Sequence, residues 1–231
     1  SEPITRNIDG TYRDEKFIGL GFTDQIRGKG GSDDINGRNG DDLIYGGWGN
    51  DLLLGRKGDD TLNGGNGGDV VKGGFGRDKV NGANGKDKLY GGSERDIISA
   101  GSGDDIARGG PGGDIIFGNR GNDVIFGGAG DDMIFMGLGD DIVSGGDGKD
   151  KFIFSFGQNR VLDFEVGDSI GLSRKLLKYA EINMDRELQL ELNGSDVALK
   201  LGENSIAMFM ELDSESSAFF HLTDLVVHFE W

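Results

Sequence analysis

An aspartate recurs at every ninth residue along much of this 231-residue chain, and that spacing is its clearest sign of chemistry. Carboxylate oxygens are hard ligands, which suit divalent cations such as Ca²⁺ and Mg²⁺ rather than soft metals. Regular spacing makes them a site only if the backbone brings successive carboxylates together. The fifteen aspartates are Asp24, Asp33, Asp42, Asp51, Asp60, Asp69, Asp78, Asp87, Asp96, Asp105, Asp114, Asp123, Asp132, Asp141 and Asp150.

These aspartates are the sixth residues of fifteen nonapeptide blocks that run from Gly19 to Ile153 without an insertion or deletion. The eighth residue of every block is apolar, and the first and fourth are glycine in thirteen blocks each. An apolar residue between two outward neighbours predicts a short strand at positions 7–9. The glycine-rich positions 1–6 predict a turn. Two blocks would then form one eighteen-residue coil of an all-β, parallel β-solenoid.

Stacked coils would place the carboxylates in two columns, one along each edge of the solenoid. One column begins at Asp24 and the other at Asp33, and each continues in steps of eighteen residues. At the strand spacing of about 4.8 Å, neighbouring charges repel by about 1–3 kcal/mol per pair. A bound cation relieves this repulsion, and carbonyl-rich, flexible turns suit Ca²⁺ better than Mg²⁺. The gaps between columns of eight and seven carboxylates predict at most thirteen calcium sites.

The overall composition of the chain disfavours several classes of binding partner and several structural features. The formal charge of −17 disfavours nucleic acid, and the chain has no basic-aromatic stripe. Cysteine is absent, so neither disulfides nor thiolate metal sites are available. No apolar run approaches the roughly 18 residues of a membrane span, so we expect no transmembrane segment.

The blocks resemble the GGxGxDxUx nonapeptides of the RTX (repeats-in-toxin) family of haemolysin-type calcium-binding proteins. The resemblance implies a right-handed parallel β-roll with calcium between turns n and n+2. In that family one turn supplies the calcium ion with the backbone carbonyls of its positions 2 and 4 and with its aspartate. The other turn supplies the carbonyls of its positions 1 and 3 and its aspartate. The implied carbonyl ligands here are Gly47, Gly49, Gly65, Gly67, Gly74, Gly76, Gly101, Gly103, Gly110, Gly112, Gly127, Ala129, Gly128, Gly130, Gly145 and Asp147. Phe22 and Glu94 replace the fourth glycine, so we expect poorer sites beside them.

Three regions are predicted. Residues 1–18 form an N-terminal cap with a degenerate repeat whose aspartate is replaced by Glu15, and residues 19–153 form the roll. From Phe154 the nine-residue register dissolves, and residues 154–231 are predicted to form a small β-rich cap. Two segments there, NRVLDFEVGDSIGL and HLTDLVVHF, resemble the caps of RTX and serralysin-type proteins. The resemblance implies a type I secretion signal and the secretion machinery as a partner.

The predicted function is an extracellular calcium-binding module that folds on calcium after export and serves folding, stability and secretion. Two alternatives stay open: a polysaccharide- or surface-binding module, and the C-terminal part of a secreted hydrolase, toxin or adhesin. No nucleophile elbow, P-loop or HExxH motif is present, so we expect no enzyme activity in this chain. A catalytic domain could lie outside it.

Outward positions 7 and 9 become apolar in the later blocks. Such patches usually mark a covered or binding surface. One predicted outer face holds Ile97, Ile115, Phe117, Met133, Phe135 and Ile153, and the other holds Ile106, Val124, Phe126 and Ile142. We expect the segment after Phe154 to fold over the Phe117/Phe135 face, and a partner or upstream domain to cover the other.

Overall fold

A computed structural model of the chain describes residues 6–172 and the strand segments 188–193, 196–201, 208–212 and 227–228. Its described residues form an all-β parallel roll in which the chain alternates between two sheets. Odd-numbered strands up to β19 form one sheet and even-numbered strands up to β18 form the other. No described residue belongs to a helix, so none of the described segments is an apolar helix able to cross a membrane.

The first sheet has eleven strands and the second has twelve. The strands of the eleven-stranded sheet are β1 (Arg6–Asp9), β3 (Asp24–Gly30), β5 (Leu43–Trp48), β7 (Thr61–Asn66), β9 (Lys79–Asn84), β11 (Ile97–Ser102), β13 (Ile115–Arg120), β15 (Met133–Phe135), β17 (Lys151–Phe154), β19 (Ser169–Leu172) and β23 (Val227–His228). The strands of the twelve-stranded sheet are β2 (Lys16–Ile18), β4 (Asp34–Asn39), β6 (Leu52–Lys57), β8 (Val70–Phe75), β10 (Lys88–Ser93), β12 (Ile106–Pro111), β14 (Val124–Ala129), β16 (Ile142–Asp147), β18 (Asn159–Phe164), β20 (Leu188–Asn193), β21 (Asp196–Leu201) and β22 (Met208–Leu212).

Neighbouring strands of the roll are parallel and pair residues eighteen apart, as in Leu43 with Thr61. Most strands have six residues and continue through positions 1–3 of the next block, so only positions 4–6 connect them. The sequence had predicted three-residue strands and six-residue turns, and this was wrong. Glycine is a poor strand residue in isolation, but here its backbone pairs with the identical position of the neighbouring coil.

The core is a narrow file of apolar side chains that the two sheets contribute in turn. The eighth residue of each block supplies it, and these side chains are at most 2% exposed. Burying one such side chain contributes about 1.5–3 kcal/mol. The file consists of Ile26, Ile35, Ile44, Leu53, Leu62, Val71, Val80, Leu89, Ile98, Ala107, Ile116, Ile125, Ile134, Val143 and Phe152. Because the core is so narrow, interactions in the turns must contribute the rest of the free energy that stabilises the roll.

The eighteen-residue stacking does not stop at Phe154. Strand β18 pairs Arg160 with Ile142, and β19 pairs Ser169 with Lys151, in the register of the preceding coils. The predicted end of the register at Phe154 is therefore wrong, and the roll continues to Leu172. Among the later described strands, β22 pairs in parallel with β18 of the twelve-stranded sheet, and β23 pairs in parallel with β19 of the eleven-stranded sheet. Strands β20 and β21 form an antiparallel pair.

The predicted apolar outer face exists on the eleven-stranded sheet. The rings of Phe117 and Phe135 stack with centroids 4.7 Å apart, and both side chains are half-buried. Residues 154–172 extend the roll rather than fold back over these rings, because their strands stack at its end. That part of the docking prediction was wrong. The segments 173–187, 202–207 and 213–226, which also bear on it, lie outside the described residues.

Candidate metal centre

All fifteen repeat aspartates lie inside the turns, where each is at most 2% exposed. Burying a carboxylate is costly unless it is paired, hydrogen-bonded or bound to a metal. The described residues contain no ion pair that involves any of them. The stabilising partners must therefore be backbone groups or a cation.

Each column is joined by a regular ladder of hydrogen bonds. The backbone N–H of one aspartate donates to Oδ1 of the aspartate eighteen residues later, as Asp60 does to Asp78 at 2.8 Å and Asp114 does to Asp132 at 2.7 Å. The ladder fixes the rotamer of each carboxylate and aligns the column. It satisfies only one of the two oxygens.

The second oxygen, Oδ2, is buried without a hydrogen-bond partner at every repeat aspartate from Asp33 to Asp150. At Asp24, the first of its column, Oδ1 is the oxygen without a partner, because Oδ2 accepts the N–H of Leu20 at 2.7 Å. A buried carboxylate oxygen without a partner is energetically costly, and a bound cation would offset that cost. The aspartates thus fit a column of hard cations.

In the thirteen blocks that begin with glycine, that residue leaves the space beside Oδ2 open. A Cβ on Gly109 would collide with Oδ2 of Asp114 and lie 2.5 Å from the carbonyl oxygen of Gly127. Gly127 begins the adjacent turn, so a carboxylate oxygen and a carbonyl oxygen converge on a cradle that a side chain would fill. Convergent oxygens of two turns are the donor set that Ca²⁺ takes.

Positions 2 and 4 of the blocks have a left-handed backbone, as at Gly110 (φ 116°) near the end of β12 and Gly112 (φ 154°) in the following turn. Their carbonyl oxygens lie against the same positions of the next turn, where a Cβ on Gly128 or Gly130 would collide with them. The structure therefore places Gly110, Gly112 and Asp114 beside Gly127, Ala129 and Asp132 of the adjacent coil. That these six residues share one ion stays a prediction. The Ala129 carbonyl already accepts the N–H of Gly112 at 2.7 Å, which leaves it one lone pair.

The two turns that lack the fourth glycine behave differently. Glu94 adopts φ 77°, so its turn keeps the left-handed backbone of the others. Phe22 is not among the residues with positive φ, so the first turn departs from the repeat geometry. The backbone of the repeat is therefore kept at Glu94 and lost at Phe22, while the poorer sites expected beside both residues stay a prediction.

Burial raises the pKa of the repeat aspartates from Asp33 to Asp150 above the usual value of 3.8. The pKa of Asp60 rises to about 8, chiefly through desolvation and further through the nearby carboxylates of Asp78 and Asp42. The same cause raises the pKa of Asp69 and Asp123 to about 7. Without a cation, part of each column is therefore protonated near neutral pH.

Three residues continue the ladders beyond the predicted run of aspartates from Asp24 to Asp150. Asp141 donates its N–H to Oδ1 of Asn159 at 3.0 Å, and Asp150 donates to Oδ1 of Asp168 at 2.8 Å. At the other end the N–H of Glu15 donates to Asp33 at 2.9 Å. The signal was the step of eighteen residues from Asp141 and Asp150, which remains after the glycines are lost.

No group of three or more His, Cys, Asp or Glu side chains converges among the described residues. Two aspartates and several carbonyls of adjacent turns are therefore the donors that a cation would find. The sequence profile of the RTX calcium-binding nonapeptide repeat (4 copies) matches residues 18–53, 45–80, 54–89, 81–115, 108–143 and 137–161. Since these matches cover more than half of the chain, the protein belongs to the RTX calcium-binding nonapeptide repeat family, and this membership implies binding of Ca²⁺.

No curated protein matches the chain. Among solved structures, it is similar to the extracellular lipase LipA from Serratia marcescens, with 18% identity, a TM-score of 0.40, and coverage of 78% of this chain and 40% of the lipase. The chain thus spans less than half the length of that lipase. It is also similar to the AlgE6R3 subunit of the Azotobacter vinelandii mannuronan C5-epimerase, with 25% identity, a TM-score of 0.23, and coverage of 59% and 80%.

Proposed function

We propose that the chain is an extracellular module whose folding is coupled to the binding of many calcium ions in the two aspartate columns. The observation that carries this proposal is the buried carboxylate oxygen left without a partner at every repeat turn. Each ion would lie between turns n and n+2, held by one aspartate and two carbonyls from each. Bound Ca²⁺ supplies the positive charge that offsets the stacked carboxylates.

The chain's own residues prepare these sites. The ladder of Asp N–H groups holds the carboxylates from Asp42 to Asp150 in one rotamer, and glycine at position 1 of thirteen blocks leaves room beside Oδ2. The left-handed glycines aim the carbonyls of positions 2 and 4 along the column. Sites of this kind cannot form in an unfolded chain, so the free energy of binding becomes free energy of folding.

The coupling supports a role in secretion. Extracellular calcium modules have dissociation constants of about 0.1–1 mM. At ten times that constant each site contributes about 1.4 kcal/mol to the folded state, so eight sites contribute about 11 kcal/mol, comparable to the stability of a whole domain. A chain kept unfolded at low internal calcium could pass through a type I secretion system and fold outside. In this role the chain is a folding and stabilising part of a secreted protein.

Equilibrium dialysis with metal analysis tests the proposed sites. We expect several Ca²⁺ ions per chain, up to about thirteen along the repeat aspartates, and no comparable binding of Mg²⁺ at equal concentration. A Ca²⁺ stoichiometry of about one or less would refute the columns as binding sites. The secretion role is tested separately with a reporter protein fused to the chain. A type I system should export the fusion, and deletion of the residues after Leu172 should abolish that export.

A further inference from the structure

The outer face of the twelve-stranded sheet carries a groove lined by cations, although the chain as a whole has a formal charge of −17. The groove has a volume of about 530 Å³, and none of its lining residues is acidic. Its charged and apolar walls are formed by Arg38, Arg56, Lys57, Lys72, Leu54 and Phe75. It opens on the outside of the roll, and its lining also includes the backbone of Gly73 and Gly74, where the implied calcium ligand Gly74 lies.

Three successive strands build the groove. Arg38 of β4 stands in register with Arg56 of β6, and Lys57 of β6 stands in register with Phe75 of β8. Adjacent strands are about 4.8 Å apart, so the cations occupy neighbouring rungs. Like charges at this separation repel, and an anion between them removes the repulsion.

Two of these cations occupy strained backbone. Arg38 has φ 82° and Arg56 has φ 89°, a region that suits glycine, and the same repeat position is glycine at Gly47, Gly65 and Gly74. Lys29, Ala83 and Asn119 hold the same repeat position at positive φ, so the position accepts different side chains and does not itself require arginine. Glycine in place of either arginine would fit this backbone without strain.

Two acids near the groove are already paired with cations outside it. Asp34 on β4 is bound by Lys16 at 2.5 Å, and Asp59 after β6 is bound by Arg77 at 2.8 Å. Lys72 is positioned by the ring of Tyr90, whose centroid is 5.2 Å from Nζ. Phe75 is 64% exposed and adds an apolar wall beside the charges. The groove thus offers guanidinium and ammonium donors together with one free aromatic face.

We propose that this groove binds a small ligand that carries one or two oxyanion groups on an apolar ring. Arginine pairs bind carboxylate, phosphate and sulfonate oxygens through paired N–H donors, and Phe75 would contact the ring. A volume of this size suits a small molecule. A long polyanion is disfavoured, because the net negative field of the chain acts on every charge outside the local groove.

Naphthalene-1,5-disulfonate is the probe, since it joins two oxyanions to a ring and stays soluble with calcium. In excess Ca²⁺ we expect a single site that is weakened by added salt. The double variant Arg38→Gly/Arg56→Gly should weaken binding about tenfold or more while the calcium-loaded fold stays intact, because glycine relieves the strained φ. Phe75→Ala should weaken it several-fold, by about three- to fivefold.

Two probes separate the contributions of charge and ring. Ethane-1,2-disulfonate should bind more weakly than the naphthalene compound, and neutral naphthalene-1-methanol should show no binding that depends on the arginines. Lys79→Gln, which removes an exposed cation from β9 on the other sheet, is the matched control and should leave binding unchanged. Equal affinity of wild type and the double glycine variant, with both folded by circular dichroism, would overturn the proposal.

Discussion

The backbone N–H of Asp96 donates a 2.7 Å hydrogen bond to Oδ1 of Asp114, eighteen residues later, and the N–H of Asp114 does the same to Asp132. Asp114 therefore belongs to two inter-turn gaps at once. Asp24 begins its column, so the repeat aspartates give it a neighbour on one side only, Asp42. This difference makes the sharing of ligands between sites measurable.

Asp114→Asn should weaken calcium-induced folding more than Asp24→Asn does. Asparagine keeps Oδ1 as a hydrogen-bond acceptor but removes the charge, so the ladder survives while the cation sites lose a ligand. At ten times the dissociation constant the loss approaches about 3 kcal/mol for two sites and about 1.4 kcal/mol for one. Calcium titrations followed by circular dichroism give both midpoints, and equal shifts would contradict shared ligands.

Asn159→Asp should add calcium capacity at the end of the second column. Asn159 is fully buried, accepts the N–H of Asp141, and leaves its Nδ2 without a partner. The variant supplies a carboxylate in register with Asp141, so we expect about one additional bound Ca²⁺ and a less stable calcium-free state. Gln158→Glu, which adds the same charge at the exposed neighbouring position, is the control. No change in stoichiometry would mean that the column does not extend to residue 159.

Much of this architecture could be predicted from the sequence, because one physical signal repeats. A buried apolar residue two positions after each aspartate sets both the strand and its inward face, as at Ile116 after Asp114. The coils after Phe154 were missed because Phe154 and Asp163 replace the first glycine, although Asn159 and Asp168 keep the sixth position and the buried Val161 and Ile170 keep the eighth. Strand length was missed because the pairing of glycine backbones depends on the neighbouring coil, which local propensity does not describe.

Glu94→Gly should stabilise the calcium-loaded protein by about 1 kcal/mol, because Glu94 holds a left-handed backbone that glycine adopts without strain. Glu94→Ala is the control, since it removes the same charge near Asp78 and Asp96 but keeps a Cβ at positive φ. Thermal unfolding in saturating calcium should show a gain for glycine alone. Equal gains for both variants would assign the effect to charge.

Acid should partly replace calcium in forming the roll. Burial raises the folded-state pKa of Asp60 to about 8 and of Asp123 to about 7, above the unfolded value near 3.9. A raised folded pKa contributes stability that is complete below about pH 4 and is lost as the pH rises through 6–8. Calcium-stripped protein should therefore show more β structure at pH 5 than at pH 8.

Calcium affinity should have the opposite pH dependence, because Ca²⁺ binds the ionised carboxylates and must displace their protons. The calcium concentration at the folding midpoint should fall as the pH rises from about 6 to about 8. Proton release on calcium addition, measured in weakly buffered solution, checks the same coupling. A midpoint that does not change over this range would show that the column carboxylates are already ionised before the ion binds.

The dependence of folding on calcium tests the central claim most directly. Circular dichroism of the calcium-stripped chain at pH 8, where the raised pKa values leave little stabilisation by protonation, should show a largely unfolded spectrum. Millimolar Ca²⁺ should then produce a β spectrum in one cooperative transition, and an equal concentration of Mg²⁺ should not. A β spectrum that persists at pH 8 in chelator would contradict the account, because the roll would then be stable without cations in its aspartate columns.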